Sequence, residues 1–391
     1  MIDYDPSILA AGRELAAKVL APGAREADEQ EKFSLEVFRE IGRFGLLGAT
    51  FPEQYGGTSL GYVTYTGLIK ELARVCASTA MTVLSHATLT AEPIFIAGSE
   101  RLKERFLRPL VSGEKVGAFA MTEPGSGSDI ASVATRAEER GDHYVLNGSK
   151  VFITNANVAD LVVVVAKTSP RAGLLGLSLF VVEKGTPGFA ATGRHERKLG
   201  MRASDTGELS FCDAEIPKDN LIGTKNRGFE ILQQTLPAAR LGMAAIAIGI
   251  AEAARGMCID YVMQRKQFGK PLHRFQLVKS MLANMEMSID AADLLLRNGA
   301  WRKDQGKSFV KEASEAKLFA SEMAAAVTKD AIQIHGGYGY SRDLPLERFF
   351  RDAKLTEIGD GTSEIQRLII ADEMIKAGTP QRAAASTGVA G

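Results

Sequence analysis

The sequence predicts an α+β multidomain chain in which helices come first, a β module follows and a helical bundle closes. Three observations predict it. Apolar residues recur at helical spacing from Pro6 to about residue 115. From Val116 to Asn220, β-branched runs and turn residues replace that pattern. From about Gly228 long helical stretches return, rich in Ala and Met as closely packed bundle helices are. Strand and helix do not alternate, so a doubly wound parallel sheet is not expected. The boundaries fall at 1–115, 116–225 and 226–378, and the small polar tail 379–391 is expected to be disordered.

Taken in order, Pro6-Ser7-Ile8-Leu9 opens the first helix, and Leu35, Val37, Phe38, Ile41 and Leu46-Leu47 mark another. Gly56-Gly57 breaks the pattern, and the stretches Tyr62 to Cys76 and Met81 to Leu89 resume it. Tyr144 to Ile153 reads as a hairpin with Asn147-Gly148 at its turn. Leu161 to Val165 and Leu177 to Val182 are further strands, and Ala214 to Pro217 ends the β region. The last helices run over Ile231 to Gln264, Phe275 to Arg302, Val310 to Ile334 and Ser363 to Lys376.

Composition excludes several classes. The chain has 391 residues, 45% hydrophobic and 24% charged, which is ordinary globular usage for two or three domains. Lys+Arg and Asp+Glu both number 47, so no basic field invites a nucleic acid. Cys76, Cys212 and Cys258 are scattered, which suits neither a disulfide framework nor a zinc site and fits a reducing cytoplasm. The acidic start, Met1 to Asp5, does not read as a signal peptide. The most apolar helical run, Leu241 to Ala251, is too short to span a bilayer, so no membrane partner is expected.

Five short stretches carry chemistry. In Ile358-Gly359-Asp360-Gly361-Thr362-Ser363, a carboxylate sits between two glycines before a helix start. Ser363 and Gln366 have capping-box spacing. Free N–H groups there suit a polarised carbonyl oxygen, and a base beside them suits proton abstraction next to a thioester. Phe119 to Asp129 runs from a strand end into a loop dense in Gly and Ser, able to offer N–H groups and hydroxyls to a phosphate or flavin edge. Lys150 to Asn155 places Phe152 and Thr154 at same-face spacing on a strand. Gln264 to Pro271, with Gln276 beyond, offers Arg265 to a pyrophosphate and Phe268 to an adenine. Gln333 to Tyr340 ends a helix with glycines, and His335 suits packing or capping more than catalysis. Taken singly, each also fits an ordinary turn, an edge-strand pair, a basic helix end or a glycine cap.

In this order, the set resembles the acyl-CoA dehydrogenase family of flavoproteins over residues from about 5 to 377. The resemblance implies an N-terminal α-domain, a middle β-barrel-like domain and a C-terminal four-helix bundle, assembled as a homotetramer, a dimer of dimers. It implies FAD between the β-domain and the bundle, partly held by a neighbouring subunit. Phe119, Met121, Thr122, Gly127 and Ser128 would lie on the flavin and its pyrophosphate. Phe152 would cover the isoalloxazine, with Ile153 and Thr154 beside it. Arg265, Phe268, Gln276, Gln333, Gly336 and Gly337 would hold the other half across a subunit interface. Thr362 and Glu364 match positions next to the cofactor. For the substrate, the resemblance implies Ser128, Arg240 and Gly361, with Ser85, His86 and Leu89 on the helix closing the acyl pocket.

Asp360 stands where the family usually has a catalytic glutamate. Ala239 occupies the alternative glutamate position before Arg240, so Asp360 is left as the base. The reading is an FAD-dependent acyl-CoA dehydrogenase acting on a short, branched or cyclic acyl-CoA, with an electron-transfer flavoprotein as acceptor. Aspartate is also the base of the related nitroalkane oxidases. That keeps open an oxidase-like or flavin monooxygenase-like enzyme, an acyl-carrier-protein-linked dehydrogenase, and a non-enzymatic helical scaffold.

Overall fold

The computed structural model describes residues 3–378; the tail expected to be disordered lies outside them. The N-terminal part is helical: α1 (Pro6–Leu15), α2 (Ala24–Gln30), α3 (Leu35–Arg43), α4 (Gly61–Ala73), α5 (Ala77–Leu84), α6 (Glu92–Ala97), α7 (Glu100–Leu102) and α8 (Arg108–Ser112). A π-helical stretch, Ser85–Ala91, joins α5 to α6. Asp5 caps α1 by accepting from the Ser7 and Ile8 amides, and Pro6 fills the first turn, where no N–H is needed. Ser34 caps α3 through the Val37 amide. The start of α4 is capped from far away. Asp304, 242 residues on from Tyr62, accepts from the Tyr62 and Val63 amides at 2.6 and 3.0 Å.

The bundle consists of α9 (Gly228–Gln264), α10 (Gln276–Asp304), α11 (Val310–His335) and α14 (Ser363–Gly378), with the shorter α12 (Gly337–Tyr340) and α13 (Leu346–Thr356) between. The sequence reading did not anticipate α13. Helices α4 and α5 pack on α9, and one apolar core runs continuously from Leu9 to Ala353 through both helical parts. Helix α9 is longer than the apolar run first read in it. It is the one described helix long and apolar enough to cross a membrane, yet 67% of its most apolar window is buried inside the fold.

Between the helical parts lies a curled eight-stranded sheet of β1 (Gly117–Ala120), β2 (Arg136–Arg140), β3 (His143–Thr154), β4 (Leu161–Lys167), β5 (Leu177–Glu183), β6 (Phe189–Ala191), β7 (Thr206–Pro217) and β8 (Leu221–Ile222). Its order is β6-β7-β3-β2-β4-β5-β8, with β1 parallel to β4. Strand β4 is apolar from Leu161 to Ala166 because both of its faces are buried there. Val162, Val164 and Ala166 point into the sheet's own core, while Leu161, Val163 and Val165 pack toward Phe106, Leu107 and Ile231 of the helices.

The expected Asn147-Gly148 hairpin turn is overturned. Tyr144 to Ile153 lies within the single strand β3, and the hairpin turn comes earlier, at Gly141-Asp142 between β2 and β3. Asn147-Gly148 is a bulge in the β3–β7 ladder. Asn147 exchanges hydrogen bonds with Asp213, and Gly148 is required because a Cβ there would lie 2.5 Å from Thr135 Oγ1.

Candidate active site

The turn that carries Asp360 links α13 to α14. Gly359 packs under α9, where a Cβ would meet Met243 Cε at 3.0 Å. Asp360 and Gly361 both take left-handed backbone, with φ of 54° and 96°. A Cβ on Gly361 would lie 2.7 Å from Gln366 Nε2. The cap is not the expected Ser363–Gln366 box. Thr362 caps α14 instead, its Oγ1 accepting from the Ile365 amide at 3.4 Å, and Ser363 is already helical. Gln366 turns back to donate to Gly361 O at 2.9 Å. Among the described residues, the backbone N–H groups of Asp360 and Gly361 have no acceptor.

The Asp360 carboxylate carries the chemistry of this turn. Its Oδ2 is buried and has no hydrogen-bond partner. Burial raises its proton affinity above the usual aspartate range, against the pull of Lys317 and then Arg240. Arg240 reaches it from α9. Burial lowers that guanidinium to about 10 against the attraction of Asp360, and its Nε is buried without a partner. Lys317 reaches it from α11 and is lowered by burial to about 8. A carboxylate with one bare oxygen, a raised proton affinity and free N–H groups beside it has the chemistry a general base next to an oxyanion site needs.

A second group surrounds the loop after β1. The Glu123 and Ser126 backbones bond to each other, and the Val151 amide donates to Thr122 O. Gly125 and Gly127 stand open, with nothing within 4 Å of an added Cβ, and Ser128 is exposed. Phe152 occupies a second β3 bulge at φ 57°, 66% exposed. The bulge breaks the strand alternation that the Phe152 and Thr154 spacing assumed. An aromatic in left-handed backbone with its ring in the open is a strained placement of the kind found at ligand sites. Met121, Thr122 and Thr154 are half-buried around it. Phe119 and Ile153 differ: their side chains are packed in the core, which leaves only backbone to face a ligand.

A third group lies where α9 and α11 end. Arg265 is exposed, with its guanidinium 5.8 Å from the Tyr338 ring centre. Phe268 sits at the tip of the small hairpin β9 (Lys266–Gln267) and β10 (Lys270–Pro271), at φ 50° and 91% exposed. Gln276 and Gln333 are exposed, and Gly336 and Gly337 are open to a ligand. His335 is buried, stacked on Tyr261 and bonded to Ala331 O, as a packing residue is. Among the described residues, no hydrogen bond, ion pair or ring contact joins this group to the Phe152 loop.

The acyl-pocket residues fall differently from expectation. His86 is completely buried, accepts from the Gly117 amide on Nδ1 and donates from Nε2 to Leu110 O. Burial lowers it to about 4, so the ring is neutral and has no free nitrogen for a ligand. Ser85 is buried on the same π-helical stretch, and Leu89 packs in the core that contains Phe119. A polar pocket built on His86 is therefore not present. Glu364 is exposed, its carboxyl held down by its own amide at the helix start and by Thr362.

Sequence reasoning missed three residues. Lys150 and Glu123 anchor the loop after β1, and Lys317 anchors the turn that carries Asp360. The available signal for Lys317 was a lysine set inside the buried Ala stripe of α11; the pattern around Lys150 in β3, with Asn147, Ser149 and Phe152 exposed, gave none.

Open glycine cradles, a strained exposed ring and a buried carboxylate at a helix start suit a dinucleotide-dependent flavoprotein oxidoreductase. Family models for the acyl-CoA dehydrogenase N-terminal, middle and C-terminal domains match residues 6–114, 118–214 and 226–375. The chain is 43% identical to the short-chain specific acyl-CoA dehydrogenase of Clostridium acetobutylicum, over 93% of this chain and 96% of that protein. It superposes on butyryl-CoA dehydrogenase from Megasphaera elsdenii with a TM-score of 0.93 at 41% identity, covering 95% of this chain and all of that one. A structure described as PigA with FAD and proline matches at TM-score 0.93 and 31% identity, over 96% and 99% of the two chains. The chain belongs to the acyl-CoA dehydrogenase family. Its cofactor is FAD, which the open glycines, Phe152 and Arg265 fit.

Proposed function

We propose that the protein oxidises a short-chain acyl-CoA to the enoyl-CoA, with Asp360 taking the α-proton. The supporting observation is the partnerless Oδ2 of Asp360, buried between Arg240 and Lys317 beside free N–H groups. The Asp360 backbone N–H holds the thioester oxygen, which lowers the barrier to losing the α-proton. Burial excludes water from the carboxylate and raises its affinity for that proton. Bound FAD supplies the acceptor for the β-hydrogen as hydride. Arg240 and Lys317 pull the carboxyl toward its ionised form, against the burial that raises it. Short acyl groups are favoured by the names of the relatives, and the buried, neutral His86 removes the argument for a polar, branched-substrate pocket.

The Arg265 and Phe268 group is exposed at one end of the bundle and completes the FAD site of a neighbouring copy in a homotetramer. An electron-transfer flavoprotein takes the electrons, and the protein works in the cytoplasm. Anaerobic mixing with butyryl-, hexanoyl- and longer acyl-CoAs tests the reading. Flavin absorbance should bleach, fastest with the short chains, while Asp360→Ala stays oxidised. Parental bleaching by Asp360→Ala would remove the base assignment. The aspartate base also supports an oxidase reading, which fast reoxidation of the reduced flavin by air would favour.

A further inference from the structure

Lys317 places an ammonium within a stripe of small apolar side chains buried on its helix. On α11 the buried stripe runs through Ala313, Ala316, Ala320, Ala324 and Val327, and Lys317 lies within it, fully buried. Its Nζ donates to Gly361 O at 2.7 Å. Gln366 Nε2 donates to the same carbonyl at 2.9 Å. A buried ammonium persists only where partners repay its lost hydration, and the partner here is the residue after the base.

We propose that Lys317 is a positioning residue for the base, clamping the Gly361 carbonyl and setting a fixed cation behind the Asp360 carboxylate. The inference rests on Asp360 being the base. Aspartate carries its carboxylate on a single methylene, so the backbone turn decides where the base lies. Asp360 holds a left-handed backbone at φ 54° although it carries a side chain, a conformation kept only where its surroundings over-determine it. Lys317 and Gln366 supply that restraint on one side of the turn, and Met243 packs against Gly359 on the other. The charged groups that face Lys317 are Asp360, Arg240, Glu357 and Glu364, with Asp360 the largest influence. In return, Lys317 is the larger of the two cationic pulls on Asp360, ahead of Arg240. Removing the cation therefore lets Asp360 keep its proton to higher pH.

The test uses FAD-loaded full-length Lys317→Met and Lys317→Gln, with Asp360→Ala alongside. The readouts are FAD content, acyl-CoA binding and the pH dependence of anaerobic flavin reduction. Both Lys317 variants should keep FAD and bind acyl-CoA, and flavin reduction should slow by about 10–100-fold, the scale of a base displaced by a fraction of an ångström to 1 Å. The acid limb should move to higher pH in both, because both lose the charge. Lys317→Gln keeps a donor for Gly361 O and should lose less rate than Lys317→Met. A merely structural lysine would lower stability without moving that limb. If Lys317→Met does not fold, Lys317→Gln decides. An unmoved acid limb with a parental rate overturns the proposal. A parental rate in Asp360→Ala overturns this inference together with the base assignment. An inactive Asp360→Ala beside parental Lys317 variants overturns this inference alone.

Discussion

Lys150 Nζ lies 2.7 Å from Glu123 Oε1, and both side chains are out of water. The same ammonium donates to Met121 O at 3.0 Å. The carboxylate also accepts from the Thr135 amide, the Thr135 hydroxyl and the Ala134 amide. Strand β3 thereby anchors the loop that carries Met121, Thr122 and Ser128. Removing one member of a buried pair strands the other charge, so Lys150→Met should cost about 3–5 kcal/mol of stability. It should also lower FAD retention, checked by thermal melting and bound-flavin absorbance.

The same pair sets a sign for acid sensitivity. Burial pushes Glu123 up, but Lys150 and the three donors outweigh it and leave the carboxyl below the usual glutamate range. Its stabilisation is then present above the ordinary glutamate pKa and lost as pH falls through the lowered value. FAD release should rise on acidification below about pH 4.5, the ordinary glutamate range, measured by flavin fluorescence. Glu123→Gln should shed FAD already at neutral pH.

Arg265→Ala should weaken FAD retention by about 1.5–3 kcal/mol, the scale of a charge-assisted phosphate contact. Phe268 exposes nearly its whole ring at a hairpin tip, so Phe268→Asp should lower FAD content and shift the assembly toward smaller species. Light scattering of the parent protein at micromolar concentration should give a multiple of the chain mass. A stable FAD-loaded monomer would contradict the shared site.

Asp352 is buried on α13 and accepts from the Met201 amide across to the β module. Burial pushes it up to about 7, with Asp28 adding to the shift against Arg348 and Arg351. A raised carboxylate contributes stability that is complete below the unfolded value and is lost as pH rises through about 7. Asp352→Asn keeps an acceptor for Met201 and removes that loss. It should melt higher than the parent at pH 8 by the equivalent of about 1–3 kcal/mol, and by less at pH 5, where only part of that loss has accrued.

The three-part order of the fold was legible because period and composition change together near residues 116 and 226. The loops proposed as the site stood out through glycine density beside charged or aromatic residues, as at Gly125, Phe268 and Gly336, and the structure leaves them open or exposed. Sequence spacing could not reveal that Asn147-Gly148 bulges within a strand, because the turn signal and the bulge use the same residues. Gly148 is fixed by Thr135, a neighbour known only once β2 and β3 pair. His86 misled for the opposite reason. A polar side chain on an apolar helix suggests a ligand, yet its two partners, Leu110 O and the Gly117 amide, come from other elements. Lys317 was overlooked because its acceptor, Gly361 O, lies 44 residues on, and the Ala stripe that sets the lysine apart does not name that partner.

Asp360→Glu separates the shape of the site from its chemistry. The longer side chain moves the carboxylate by roughly 1 Å, a displacement able to cost about 10²-fold. The native turn leaves little room to absorb it, with Gly361 against Gln366 and Gly359 against Met243. On the preferred short substrate, flavin reduction should therefore slow, while FAD content and acyl-CoA binding stay parental. The loss should fall on kcat more than on KM, as for an interaction made in the transition state. The acid limb should persist, since a buried carboxylate remains between Lys317 and Arg240. Asp360→Asn, which keeps shape and backbone but cannot take a proton, should lose about 10²–10⁴-fold, with no acid limb left to measure. Stopped-flow flavin reduction under nitrogen reads both variants in one experiment. An Asp360→Glu chain as fast as the parent would mean that the turn does not fix the base, and an Asp360→Asn chain with parental rate would mean that the proton leaves by another group.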